Sequence, residues 1–437
     1  MRLVLRKNYS VRSKPHSLQE KFIKYGILIL FPWRDAFAVP VGNTQIRFGE
    51  IYAFIIAILG LLTGRALIKK SELKFSIVLF VNLIITLMGV LIYRDNIDTS
   101  FSNIYVLRNV IYLLCVLGFT FTNIKFDEND IDFIMRYTVI LELAVYIVLI
   151  LSGNHLYLGR IAGWDEIISA GQYLNIGPLR VPRFMGTTAE AGYLGPILVM
   201  PIYYYLSRYI NRSREVSKHT KAYLIVSLFL CVVTFSVAVY LFAILAILIS
   251  FANNATSNRK LKFIGIGIIA VIILLAVIES IPQLRDYFNV NFVNKISTYM
   301  GSKTAYNWSA NDRSQHYRAA WDMFITGNPI QWILGHGTGA YYAMAKSNAR
   351  FLVNDVNEAY NLYLSTLTDR GILGLFCIII ILVNIIKIRD KSLASRTIFI
   401  GLVFQFIHWL LTGNFWLYYF WYEVMILIGL HRYYTAT

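Results

Sequence analysis

Two stretches of this chain collect cations close to long apolar runs. Arg160, Arg180 and Arg183 lie between about 153 and 187, with Glu190 just inside the run that follows. Arg285, Lys295, Lys303, Arg313, Arg318, Lys346 and Arg350 lie between about 280 and 357, where Asp355 and Glu358 mark the return to apolar sequence. A guanidinium grips phosphate oxygens through parallel N–H donors and never loses its charge, so such a set suits a phosphate-bearing ligand. Each arginine would equally cap a helix, pair with a nearby carboxylate or touch a lipid headgroup, and that alternative stays open. The acids do not suggest a metal: Asp165-Glu166 is adjacent but has no further ligands nearby, and reads better as a solvated pair.

The elements that must position these side chains are apolar. Of 437 residues, 57% are hydrophobic and 15% charged, with mean hydropathy +0.56. A soluble globular enzyme carries nearer a quarter charged residues, so the chain reads as an all-α, polytopic integral membrane protein. Runs near the ~20 residues that a spanning helix needs fall at about 22–42, 48–64, 75–93, 103–122, 133–152, 188–207, 222–235, 237–252, 261–279, 358–386, 397–412 and 415–430. That predicts about twelve transmembrane helices. The first is interrupted by Pro32, Arg34 and Asp35, and only Thr234-Phe235-Ser236 separates 222–235 from 237–252.

Net charge is +17. With the N-terminus inside, the cytoplasmic stretches 1–24, 65–74, 123–136, 207–221, 253–262, 387–396 and the tail from 431 hold 26 of the 41 Lys and Arg but 8 of the 24 Asp and Glu. The excess positive charge therefore faces the cytoplasm and anionic lipid, as the positive-inside rule requires, and no nucleic-acid partner is expected. Both termini are then cytoplasmic, and 1–24 reads as a tail without a cleavage site. The organisation is a bundle over 1–279 with a periplasmic loop at 153–187, a large periplasmic loop subdomain at 280–357, and a second bundle segment at 358–437. Loops that long are uncommon unless functional. Cys115, Cys231 and Cys377 sit inside apolar runs, without disulfide or metal spacing.

Three segments carry a resemblance. Arg183-Phe184-Met185-Gly186-Thr187 through Glu190 looks like a family segment in which Arg and Gly precede a central helix. Asp312 to Gly339, reading DRSQHYRAAWDMFITGNPIQWILGHGTG, resembles the same family's signature: an Arg, an aromatic four residues on (Tyr317), Asn328-Pro329 and a glycine turn holding Gly335 and Gly337. Tyr360 to Leu375, YNLYLSTLTDRGILGL, is similar to its His-Asn-x-x-Leu followed by Gly-x-x-Gly-Leu. Together they resemble the bacterial O-antigen polymerase and O-antigen ligase superfamily. Polymerase members also carry an arginine with a glycine about ten residues on, a spacing that Arg160 and Gly171 reproduce.

The resemblance implies a GT-C-like, metal-independent glycosyltransferase without a cofactor, in the bacterial inner membrane. Its substrates would be oligosaccharides on undecaprenyl pyrophosphate, and a co-polymerase that sets chain length is a possible partner. Arg183 and Arg313, then Arg160 and Arg318, would bind pyrophosphate. Glu358, Glu190 or His336 would orient or deprotonate the acceptor hydroxyl, with Glu358 ranked first; His336 would otherwise be a locally bonded turn residue. Gly186, Gly335, Gly337, Tyr360 and Asn361 complete the motifs. Tyr360 stands where the family usually shows the histidine on which ligases lean, which favours polymerase. Val237, after Thr234-Phe235-Ser236, stands where many members show Ser-Arg. O-antigen ligase and a flippase for the lipid-linked repeat unit are the alternatives. Phe415 to Tyr422 would stack on sugar rings or, more readily, form an interfacial belt; Glu142 and Glu423 would line a cavity or pair with polar groups.

Overall fold

The computed structural model describes residues 17–41, 44–63, 69–93, 95, 97, 99–152, 173–176, 179–188, 190–211, 218–254, 279–300, 307–347, 359–412 and 418–436. It is all-helical apart from two short antiparallel hairpins. Helix α1 (Leu18–Leu30) starts on a capping box in which Ser17 and Glu20 bond each other's backbone. It does not continue to residue 42 as its apolar run suggests. Pro32 lies in the turn that ends α1, and β1 (Ala38–Val41) and β2 (Thr44–Arg47) then form a hairpin. Proline has no N–H to extend a helix ladder, and the Arg47 guanidinium reaches back to Asp35 at 2.6 Å.

Next come α2 (Phe48–Thr63), α3 (Lys70–Ile92), α4 (Thr99–Phe121) and α5 (Glu128–Leu151). Asp127 caps α5 by accepting from the N–H groups of Asn129 and Asp130. A second hairpin, β3 (Tyr173–Ile176) with β4 (Leu179–Pro182), leads through a 3-10 turn (Ala191–Leu194) into α6 (Gly195–Ile210). The pair α7 (Lys218–Val233) and α8 (Val237–Asn254) are separate helices, broken at Phe235, whose φ is +47°. The span expected at 261–279 lies outside the described residues, except for its last residue.

Short helices α9 (Pro282–Phe288) and α10 (Asn294–Tyr299) are joined by a π-helical turn. They precede α11 (Trp308–Ile325), α12 (Pro329–Leu334) and α13 (Ala340–Ser347). Then follow α14 (Leu362–Ile388), capped by Asn361, α15 (Leu393–His408), capped by Ser392, and α16 (Tyr418–Ala436). Among the described residues, α3, Ser102–Phe121 of α4, α5, α8 and α14 are long and apolar enough to cross a membrane, and α2, α7 and α15 contain shorter apolar stretches. The protein is a multi-pass membrane protein.

Helix α16 runs through the core. Tyr418, Tyr419, Phe420, Trp421 and Tyr422 are all buried, so this aromatic run is neither a surface belt nor a sugar platform; Phe415–Leu417 lie outside the described residues. Charges taken into this interior are paired, as the low dielectric demands. Glu423 accepts from Arg34 at 2.9 Å, and Arg432 forks onto Glu72 while also donating to the carbonyl of Thr122. The three cysteines are buried and free.

Candidate functional site

The segment after β4 is fastened to two helices and to the turn that follows α1. Phe184 N–H donates to the Val233 carbonyl at the end of α7, and the Phe184 ring is wholly buried. Gly186 has φ +61°, and a Cβ there would lie 2.2 Å from the Glu142 carboxylate, so a side chain has neither a favoured backbone nor room. Thr187 donates its N–H to that carboxylate at 3.1 Å, and its hydroxyl lies 2.7 Å from both Glu142 and the Pro32 carbonyl. Glu142 is thus engaged in holding this loop in register. The outcome is a half-buried Arg183, whose Nε donates to the Thr234 carbonyl at 3.3 Å. The turn that lacks its own arginine at Val237 therefore receives one from another segment.

Arg313 approaches from the opposite side of sequence space. It lies in the second turn of α11, which Asn307 caps by accepting from Ala310 N–H. Its guanidinium donates to the Leu411 carbonyl at 3.2 Å, lies 4.0 Å from a Glu190 carboxylate oxygen and stands 5.3 Å over the Tyr360 ring. Burial works against the Arg313 charge, but Glu190 and the surrounding tyrosines leave its pKa raised. Glu190 itself is exposed.

Lys295 of α10 feels the charge of both arginines. Its pKa falls to about 8, chiefly through burial and then through the positive charges of Arg313 and Arg183, with Glu190 opposing. The three cations are therefore within electrostatic reach of one another, and Glu190 is the carboxylate that acts on Lys295.

Tyr360 has φ +52° and places its ring between Arg313 and His316, the latter edge-on at 5.0 Å. Asn361 caps α14 and also donates its side-chain amide to the Leu410 carbonyl. His316 is buried, 2.5 Å from the Tyr341 hydroxyl through Nδ1 and 3.8 Å from Asp312 through Nε2; burial lowers its pKa despite Asp312.

The remaining candidates go elsewhere. Arg318 is exposed; five residues from Arg313, it sits about 140° round the helix and leaves the cluster. His336 does not join the cluster either. Its Nε2 lies 3.0 Å from the Met323 carbonyl, ten residues beyond Arg313 and so about 15 Å further along α11. Burial lowers its pKa, and it is a turn residue bonded locally. Arg160, Gly171, Glu358 and Asp165-Glu166 lie outside the described residues.

The glycine turn belongs to a second junction. His336 N–H donates to the Thr368 carbonyl and Gly337 N–H to that of Asp369, while the Asp369 carboxylate accepts from Gly339 and Tyr341 N–H. Gly335 (φ +77°) lies so close that a Cβ would come within 2.3 Å of the Arg370 nitrogen. Arg370 is buried and donates to Asn82 at 2.6 Å and to Thr366 at 2.8 Å. Gly371 (φ +63°) breaks helical geometry inside α14, where a Cβ would meet the Ile333 carbonyl at 2.4 Å.

Sequence reasoning passed over several of these residues. Asp369-Arg370 is a charged pair inside an apolar run, which is itself a signal. His316 follows Arg313 by three residues and so lies near its face of the helix. Lys295 carried no distinguishing signal, because only the fold brings it within electrostatic reach of two arginines distant in sequence.

A search of curated proteins finds no match to this chain. The family model described as O-Antigen ligase matches residues 222–379, a segment that contains Lys295, Arg313, the glycine turn and the start of α14. The match is consistent with the resemblance to the O-antigen polymerase and ligase superfamily that the three motifs carry.

Proposed function

We propose that the protein is a surface-polysaccharide polymerase of the O-antigen type. It would transfer a growing glycan from undecaprenyl pyrophosphate onto a lipid-linked repeat unit at the periplasmic face of the inner membrane. On this reading the bundle is GT-C-like with about twelve spans and both termini in the cytoplasm. The supporting observation is the convergence of Arg183, Lys295 and Arg313 from two remote segments.

In the reaction the acceptor hydroxyl oxygen bonds to the anomeric carbon as the bond from that carbon to the pyrophosphate oxygen breaks. The leaving undecaprenyl pyrophosphate keeps the electron pair, and the three cations stabilise the charge that develops on it. The hydroxyl proton passes to Glu190, which lies beside Arg313 and is open to an incoming acceptor. Arg183 and Arg313 are also held by carbonyl oxygens, which fixes their direction before substrate arrives.

The description of the matching family favours a second reading, a ligase that transfers the finished glycan to lipid A core. Tyr360 in the place of the family histidine speaks for the polymerase. Reconstituted protein given only lipid-linked repeat units should build a ladder of chain lengths without nucleotide sugar or ATP. Arg183→Ala and Arg313→Ala should collapse that ladder to single repeats. Transfer to lipid A core without any ladder would instead identify the ligase, and a full ladder from both variants would remove the arginines from the mechanism.

A further inference from the structure

Helices α5, α6 and α7 leave the neighbourhood of Arg183 and converge again at their other ends. There Asp132 and Arg136 of α5, Tyr205 and Arg208 of α6, and His219, Thr220 and Tyr223 of α7 line a cavity of about 270 Å³. The 16 residues of α6 separate it from the Glu190 turn by about 24 Å. It therefore lies at the opposite face of the bundle, the one to which the charge bias assigns the cytoplasm.

The cavity is built for negative charge. Arg208 donates to one Asp132 oxygen at 2.8 Å and Arg136 lies 2.5 Å from the other, so two guanidiniums share one carboxylate. Arg208 also donates to the Tyr204 hydroxyl at 3.3 Å. The Tyr205 ring is fixed by stacking on Tyr223 at 5.3 Å. Tyr205 is only 1% exposed, yet its hydroxyl has no hydrogen-bond partner among the described residues. An orphaned buried hydroxyl is destabilising; an acceptor oxygen seated in the cavity would satisfy it. Donors from arginine, threonine and tyrosine around a space of this size match a tetrahedral oxyanion with a small substituent.

We propose that this cavity binds a phosphate ester or phosphate itself, held by Arg136, Arg208 and the Tyr205 hydroxyl. The source is either the headgroup of an anionic phospholipid in the adjacent leaflet or a soluble phosphate. This site is independent of the polymerase reading, since it shares no residue with the Arg183 cluster.

The test uses full-length protein in nanodiscs of phosphatidylcholine alone, of phosphatidylcholine with phosphatidylglycerol, and of phosphatidylcholine with added inorganic phosphate. Thermal melting gives the apparent affinity, and native mass spectrometry reads retained lipid. Stabilisation by phosphatidylglycerol alone identifies a lipid headgroup, and stabilisation by inorganic phosphate identifies a soluble ligand. In either case Tyr205→Phe should weaken binding roughly 3- to 10-fold, and Arg136→Gln about 10-fold or more. Asp132→Asn, which removes the carboxylate competing for both guanidiniums, should tighten it. The same responses should persist in Arg313→Ala, which excludes the distant cluster as their origin. Absence of stabilisation by either additive, or equal stabilisation of wild type, Tyr205→Phe and Arg136→Gln, overturns the proposal.

Discussion

Two regions of the molecule treat charge in opposite ways. At the Arg183–Lys295–Arg313 cluster, burial first and then the two neighbouring guanidiniums lower the Lys295 pKa to about 8, and the Glu190 carboxylate is itself exposed. At the Asp369–Arg370 junction both charges are buried and their hydrogen bonds go to named backbone and side-chain partners. The first arrangement leaves cations facing an open carboxylate, whereas in the second the Asp369 carboxylate and the Arg370 terminal nitrogens are bonded within the protein. Motifs that lie side by side in one family signature therefore divide between binding and fastening.

The division can be broken most decisively at Arg313. Arg313→Ala should lower the rate of chain extension by roughly 10²- to 10³-fold, as loss of one preorganised donor to developing charge does, while membrane insertion and melting temperature stay near wild type. Quantified product ladders and thermal melting check both halves. Asp369→Ala should do the reverse. It strands the Gly339 and Tyr341 N–H groups and costs roughly 2–4 kcal/mol of stability, visible as a lower melting temperature and loss of folded protein. If Asp369→Ala melts normally but is inactive, the junction belongs to the reaction and the contrast fails.

Lys295 sharpens the comparison through pH. Its folded pKa of about 8 lies below the ordinary 10.5, so the protonated form costs stability below pH 8. That penalty fades as pH rises through about 8, and the folded state gains stability up to about 10.5. Anionic substrate favours the protonated form, so substrate affinity should fall as pH passes 8, by about 10-fold for the loss of one charge-assisted contact. Lys295→Gln should remove that decline, as read by substrate titration from pH 6.5 to 9. The smallest effect belongs to Arg318. Because it is exposed and turned away from the cluster, Arg318→Ala should leave product ladders unchanged and shift stability by no more than about 0.5 kcal/mol.

Much of the fold was legible because apolar length and capping chemistry speak locally. Asp127, Asn361 and Ser392 each announce a helix start, and the runs at 48–64, 75–93 and 133–152 correspond to α2, α3 and α5. The run at 22–42 misled because hydropathy is blind to hydrogen bonding: Pro32 stops α1, and the apolar residues beyond it pair as a hairpin. At the candidate site, the residue types pointed to Arg183, Arg313 and Glu190 as a group. The partners that orient them were not legible, since the carbonyls of Thr234 and Leu411 are backbone atoms that any sequence supplies. His336 drew attention for its chemistry, yet the fold uses it as a bonded turn residue.

The interlock at Gly335 and Gly371 bears on biogenesis. The segment from Trp308 to Ser347 leaves the ribosome before α14 does, yet the backbone it must pack against, Thr368 to Gly371, belongs to that later helix. Until α14 is in place, the glycine turn lacks the Thr368 and Asp369 carbonyls that accept its N–H groups. Closure of the glycine turn at Gly371 therefore depends on a helix that is synthesised after it.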